Sequence, residues 1–239
     1  VNKLYQVLHA LRFYASPEHP CSYLDERIAT TLFVDPTAPV SISDYSLLSS
    51  IGFRRSGEHI YRPHCDDCYA CVPARIPVDQ FAPNRTQRRT LKKNRQLHFT
   101  ERKAEFCAEH FDLYRRYMQA RHRGGGMDSD DPAAYMRILN SSWADTRLFE
   151  LHNESALLAV AIVDVLLDGL SAVYTFFEPG MTHLSLGSYM ILQQIEKATS
   201  MSRSFVYLGY WNEQSPKMAY KIDYRPIELY DGRDWRRLD

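Results

Sequence analysis

Three of the five cysteines crowd into seven residues, as Cys65, Cys68 and Cys71. Two overlapping C-x-x-C spacings let neighbouring thiolates point at one ion. Cys21, distant in sequence, would supply a fourth ligand, and so would His64. Four thiolates suit tetrahedral zinc or an iron–sulfur cluster. The opposing reading is a set of reduced thiols buried as small apolar groups. Asp66 and Asp67 make the loop polar, which suits that reading poorly. Cys107 falls on a predicted helix and reads as core. A second constellation is cationic. Arg85, Arg88, Arg89, Lys92, Lys93 and Arg95 lie within eleven residues, with no acid between positions 84 and 100. On a helix, positions 85, 88, 89 and 92 stack on one face. Nothing local offsets their repulsion, so a phosphate backbone would stabilise the segment by counterion release. A solvated linker helix is the plainer reading, but no glutamate is interleaved, and RNA or DNA contact is expected.

The elements that must position these groups divide into two textures. Residues 1–83 hold eight of the 12 prolines and four of the five cysteines, and read as irregular. After the basic run, residues 105–122 read as a helix, with Phe106, His110, Leu113, Tyr114, Tyr117 and Met118 at spacings of three and four. Three consecutive glycines at 124–126 stop it. Asp130 or Asp131 caps the next helix, with Pro132 at its first position. From Thr146 the chain turns β-rich: RLFEL, LLAVAIVDVLL and LSAVYTFFE are strands, the last two joined by an Asp168-Gly169 hairpin. A helix over 187–200, a strand over 204–210, a short helix over 213–221 and a strand over 226–230 follow. This α+β order resembles acetyltransferase-like (GNAT) domains. The expected division is a small irregular, Cys-containing N-terminal domain with the basic helix, residues 1–96, and an acetyltransferase-like domain, residues 97–239.

Composition excludes several classes. Lys plus Arg and Asp plus Glu are both 29, which rules out a uniformly basic coat but not a local patch. The longest apolar run, positions 156–163, has eight residues against the roughly 20 a bilayer needs. No apolar signal core opens the chain. The cysteine spacing favours metal or reduced thiols over disulfides, so a cytoplasmic protein is expected. Sixteen tyrosines suit amphipathic pockets and stacking surfaces.

Two longer stretches carry a family resemblance. GFRRSGEHIYRP, at 52–63, is similar to the G-[WF]-R-R-S-G-x-x-x-Y-x-P segment of the aminoacyl-tRNA–protein transferases. YLGYWNEQSPKMAYKIDYRP, at 207–226, matches their C-terminal segment, and SLGSYMILQQIE, at 185–196, matches their helix after the strand ending FFEP. The resemblance covers nearly the whole chain. Its length, and CDDCYACVPARIPV in place of an adjacent Cys pair, resemble the bacterial aspartate/glutamate leucyltransferases. That resemblance implies transfer of leucine from leucyl-tRNA to proteins with N-terminal Asp or Glu, marking them for N-degron degradation. Cys21 is followed by Ser22, Tyr23 and Leu24, which departs from the C-x-x-C of the eukaryotic pattern, so the metal inference does not carry over intact.

The implied reaction is aminolysis of an ester by a protein's α-amine. With a pKa near 7.7–8.0, a minority of that amine is already neutral. Alignment and oxyanion stabilisation then supply most of the acceleration, and no cofactor is required. An acidic acceptor needs cations, for which Arg54, Arg55, Lys217 and Lys221 are candidates. Arg54 and Arg55 are adjacent on a strand, so only one faces the pocket. Tyr210 and Trp211 stack on the terminal adenine or fill the core; the first reading adds them to the tRNA-binding set with the six basic residues. Glu178 would receive the amine proton, and Tyr174 and Ser188 would hydrogen-bond near the carbonyl. Met190, Leu208 and Phe177 are compatible with a leucine pocket. Two enzymatic alternatives remain: arginyl-tRNA as donor, or acyl-CoA, which the single glycine of LSLGSY discounts. A non-enzymatic RNA-binding module with a structural metal is the third.

Overall fold

The computed structural model describes residues 3–121, 131–139 and 141–239. The N-terminal portion is more ordered than its prolines suggest. It runs from α1 (Lys3–Ala10) through β1 (Phe13–Ala15), a short β2–β3 ladder (His19–Pro20 and Ile28–Ala29) and β4 (Thr31–Val34). Then come α2 (Ile42–Ser50), β5 (Arg54–Ser56) and β6 (His59–Pro63). Ser41 and Asp44 form a reciprocal capping box that starts α2. Four of these strands form a sheet in the order β1-β4-β6-β5. They are too short for alternation to show in the sequence.

β7 (Val72–Pro77) leaves that sheet and joins a larger one. The chain continues with α3 (Arg85–Lys93), β8 (His98–Lys103), α4 (Ala108–Arg121), α5 (Pro132–Leu139), β9 (Thr146–His152), β10 (Leu157–Val165) and β11 (Gly169–Phe177). A 3-10 turn (Thr182–Leu184) leads into α6 (Leu186–Ser200) and β12 (Phe205–Trp211). Last come α7 (Pro216–Ala219), a 3-10 turn (Tyr220–Asp223), β13 (Ile227–Tyr230) and β14 (Trp235–Leu238). The eight-stranded sheet has the order β14-β13-β7-β12-β11-β10-β9-β8.

Both faces of its centre are covered, which is why β10 is buried at every position. Ala161 and Val163 pack toward α6 with Met190, Leu192 and Ile195. Val160 and Ile162 face the other way, onto Leu113 and Tyr114 of α4 and Tyr135 of α5. A third cluster joins Tyr45 and Leu48 of α2 and Phe53 to Leu166 and Tyr207 of the large sheet. At its centre Arg55 meets Asp164 through Nε at 2.5 Å and Nη2 at 2.6 Å, both side chains fully buried.

The sequence expectation needs several adjustments. A boundary at 96 does not separate the two sheets, because β7 lies between β12 and β13. The helix expected over 105–122 begins at Ala108, leaving Cys107 half-buried just before it. The 124–126 glycines and Asp130 lie outside the described residues. Asp131 does cap α5, accepting from Ala133 and Ala134 N–H groups. The helix over 213–221 is one short turn followed by the 3-10 segment. Among the described residues no helix is long and apolar enough to cross a membrane.

Candidate functional site

β11 and β12 run parallel for only three residue pairs, ending at Ser171 opposite Tyr207. Where a ladder ends inside a protein its carbonyls need other donors. Here cations supply them. Arg54 of β5 places Nη2 2.9 Å from the Ala172 carbonyl and 3.2 Å from that of Tyr207, one from each strand. Lys221 of the last 3-10 turn places Nζ 2.5 Å from the Tyr210 carbonyl. β12 shifts register between Tyr207 and Gly209, and Gly209 has φ of 82°. That left-handed backbone favours glycine.

Two cavities flank the fork. The larger, of about 690 Å³, is walled by the upper half of β11, the start of α6, α7 and the 3-10 turn after it. Its size suits a small-molecule ligand or the end of a larger one. Tyr117 and Arg121 of α4 close one side; the Tyr117 and Phe177 rings meet edge to face at 5.0 Å, and the Arg121 guanidinium lies 5.7 Å from the Phe177 ring. Gly187 lets α6 start close to that ring, since a Cβ there would sit 3.1 Å from it. The smaller cavity, of about 150 Å³, is lined by Arg54, Arg55, Tyr23, Tyr61 and Tyr210 among others. The two share Ala172, Val173, Leu208 and Lys221. No carboxylate lines either cavity among the described residues.

The electrostatics are correspondingly one-sided. Arg55 is matched by Asp164 and is electrically spent. Arg54 is 6% exposed, and its Nη1 is buried with no hydrogen-bond partner. An orphaned guanidinium N–H is costly unless a ligand completes it. Burial, with Arg54 adding to it, pushes the Lys221 ammonium down to about 8. Burial pushes the Tyr23 phenol up to about 12.

The residues expected from sequence fall into distinct places. Tyr174, Ser188, Lys217 and Lys221 line the larger cavity, as do Leu208 and Phe177. Met190 does not; it is fully buried in the core. Glu178 is not on the lining either, and pairs with Arg116 at 3.1 Å. Tyr210 is not free to stack on a base: its hydroxyl donates to the Gly52 carbonyl at 2.9 Å and it is 4% exposed. Trp211 is half-buried against the core, with its indole N–H unpartnered. Arg54, not Arg55, is the cation left over for a ligand. Arg85, Arg88, Arg89, Lys92, Lys93 and Arg95 are all exposed, while Gln87, Thr90 and Asn94 turn inward. Lys93 donates to the His183 carbonyl at 2.7 Å and Asn94 to that of Leu184 at 2.8 Å. These bonds seat α3 against the turn whose Met181, Thr182 and Ser185 line the larger cavity. Tyr23 and Tyr61 were not anticipated. Tyr61 is the tyrosine of the GFRRSGEHIYRP segment, whereas the tyrosine excess was the signal for Tyr23; they reach the fork from a loop and a separate sheet.

The cysteines behave differently from the metal expectation. Cys21, Cys65, Cys68 and Cys71 do converge, with His64, on one cavity of about 460 Å³. Yet among the described residues no three His, Cys, Asp or Glu side chains are grouped to hold an ion. Cys65 faces the Thr30 carbonyl at 3.7 Å, and Asn212 donates to Cys71 at 3.9 Å. Burial, with the neighbouring cysteines adding to it, pushes the Cys71 thiol up to about 11.

Comparison with known proteins closes the assignment. The chain matches the arginine-tRNA-protein transferase N terminus over residues 19–89 and the C terminus of the same family over residues 109–231. It is 52% identical over 227 residues to the aspartate/glutamate leucyltransferase of Nitrosococcus oceani, covering 95% of each chain. It is 49% identical over 231 residues to the protein of that name from Pseudomonas syringae pv. tomato, covering 97% of this chain and 98% of that one. Among solved structures, L-PGS from Bacillus licheniformis aligns with a TM-score of 0.48 at 10% identity, over 87% of this chain and 71% of that one. With both halves matched in order and half of all residues shared with full-length relatives, this chain belongs to the arginine-tRNA-protein transferase family of enzymes and groups with its bacterial members.

Proposed function

We propose that this enzyme transfers leucine from leucyl-tRNA to the N-terminal α-amine of cytoplasmic proteins beginning with Asp or Glu, marking them for degradation. The observation that carries this reading is the fork free of carboxylates, with a buried, uncompensated Arg54 on one side and the cationic face of α3 beside the other. The names of the relatives support the donor and acceptor. Parted strands followed by α6 support an acetyltransferase-like core, with an aminoacyl ester in place of CoA.

In this reading the acceptor stem lies along α3, where Arg85, Arg88, Arg89, Lys92, Lys93 and Arg95 neutralise phosphates. The 3′ end enters the larger cavity past the turn that Lys93 and Asn94 hold. Lys217, exposed at the rim, meets the terminal phosphates. Leucine packs against Leu186, Ile191 and Leu208, which line that cavity. Its lack of any carboxylate among the described residues favours leucine over arginine, whose guanidinium would be buried unpaired. The acceptor's side-chain carboxylate takes the free Arg54 Nη1 in the smaller cavity. Its α-amine then lies at the fork, facing the ester. Tyr174 and Ser188 hydrogen-bond near the carbonyl. Aminolysis of an activated ester needs alignment more than a strong base, and no step calls on a metal.

The test is peptide leucylation. The purified protein is mixed with leucyl-tRNA or arginyl-tRNA and a peptide beginning with Asp. Leucine on the peptide is expected. Arginine transfer would reassign the donor. Bound tRNA with no transfer from either would favour an RNA-binding role.

A further inference from the structure

Resting on the aminoacyl-transfer reading, we propose that Lys221 is the proton shuttle of the reaction, taking the proton from the attacking amine and returning it to the departing ribose oxygen. The argument is positional. A donor in the larger cavity and an acceptor in the smaller one meet only at the wall the two share. That wall consists of Ala172, Val173, Leu208 and Lys221. Three of these are apolar, so Lys221 is the one side chain there able to carry a proton.

Its surroundings fit the role. Lys221 is 8% exposed, and it donates to a backbone carbonyl, not to a carboxylate that would lock it as a cation. The groups facing it are Arg54 of β5, Cys71 ahead of β7, Tyr210 of β12 and its own neighbour Tyr220. None is an acid. Burial raises the phenols of Tyr117, Tyr174, Tyr210 and Tyr220, which removes them as bases near neutrality. The same burial lowers the ammonium of Lys221 to about 8, so an appreciable fraction is neutral in the cell. Glu178, the carboxylate that the sequence suggested for this proton, is engaged with Arg116 and does not line the cavity.

The step balances. The neutral α-amine attacks the ester carbonyl, forming the C–N bond and a tetrahedral oxyanion with a positive nitrogen. Neutral Lys221 takes one proton from that nitrogen. The C–O bond to the ribose breaks, and the ammonium of Lys221 protonates the leaving oxygen. Lys221 ends neutral, and no net proton is gained or lost.

Single-turnover leucylation of an Asp-peptide, followed by mass spectrometry across pH 6–9.5, tests this with Lys221→Met, Lys221→Ala and Lys221→Arg. Arginine keeps the charge and the bond to the Tyr210 carbonyl but cannot release a proton. Both Lys221→Met and Lys221→Arg should lose about 100-fold or more in the transfer step, in line with general acid–base catalysis, with peptide KM and tRNA affinity near wild type. In the wild type the rate should climb as pH rises through about 8. Added ethylamine should restore peptide leucylation to Lys221→Ala. Transfer by Lys221→Arg at near the wild-type rate would overturn the shuttle and leave a purely electrostatic residue, as would a loss residing in KM. Failure of the wild type to leucylate any peptide would instead overturn the transfer reading itself.

Discussion

Arg54 serves the fold with one nitrogen, and in the proposed reading the ligand with another. Nη2 ties the two parted strands together, and Nη1 is left over. Arg54→Lys keeps a charge but not the fork, and an ammonium cannot reach both carbonyls and a substrate together. Losing one charge-assisted hydrogen bond is worth about 1.5–3 kcal/mol, or roughly 10- to 150-fold. The expected outcome is that kcat/KM falls by that factor for an Asp-peptide and much less for the matching Asn-peptide. An equal fall for both would mean that the substitution acts on the fold alone. Sequence reading singled out Arg54 and Arg55 together, but it could not say which of them is ion-paired and which keeps a nitrogen without a partner. The deciding partner, Asp164, lies 109 positions away.

At the scale of elements, α3 was legible because everything that makes it is local. Asn84 and Gln87 cap each other, and the polar inward face recurs at 87, 90 and 94. Its exposed cations make a surface claim that is measurable. Arg88→Glu with Arg89→Glu should weaken tRNA binding and lower the slope of log affinity against log salt by about two to four phosphate contacts, by analogy with duplex binding. Filter binding from 50 to 300 mM salt reads this directly, and an unchanged slope would remove α3 from the interface. β7 was not legible, for an equally local reason. VPARIP carries prolines at its second and last positions, which argues against a strand with neighbours on both sides. The structure resolves this by confining the β13 ladder to Ala74 and Arg75, between the two prolines. Of the four strands in the N-terminal sheet only the one carrying Arg54 and Arg55 was read as a strand, because three to five residues show no period. By contrast, β9 to β12 and α6 were readable from residue type and spacing alone, because both faces of that sheet are buried.

For the whole molecule, the joint between the two sheets is chemical as well as apolar. Asp164 accepts from the buried Arg55 and Tyr45 and from the half-buried Thr146. Breaking one side of a buried ion pair costs about 3–5 kcal/mol, because the remaining charge stays desolvated. Asp164→Asn should therefore lower the unfolding free energy by that amount, seen in urea unfolding as a lower midpoint with the m-value unchanged. A loss below about 1 kcal/mol would show that the cluster is not what couples the sheets.

β7 gives the joint a historical dimension. A strand encoded in the first third of the chain is hydrogen-bonded to β12 on one side and β13 on the other, both encoded in the last third. The stretch matched by the family's N terminus thus supplies an interior rung of the sheet built by the stretch matched by its C terminus. Lineages of such proteins cannot trade one half as a cassette. Gene fusion or fission between the two would leave each product with a missing or orphaned strand. The halves are bound to be inherited together and to vary together, and a recombinant from two distant parents would have to match side chains across β7 before it could fold at all.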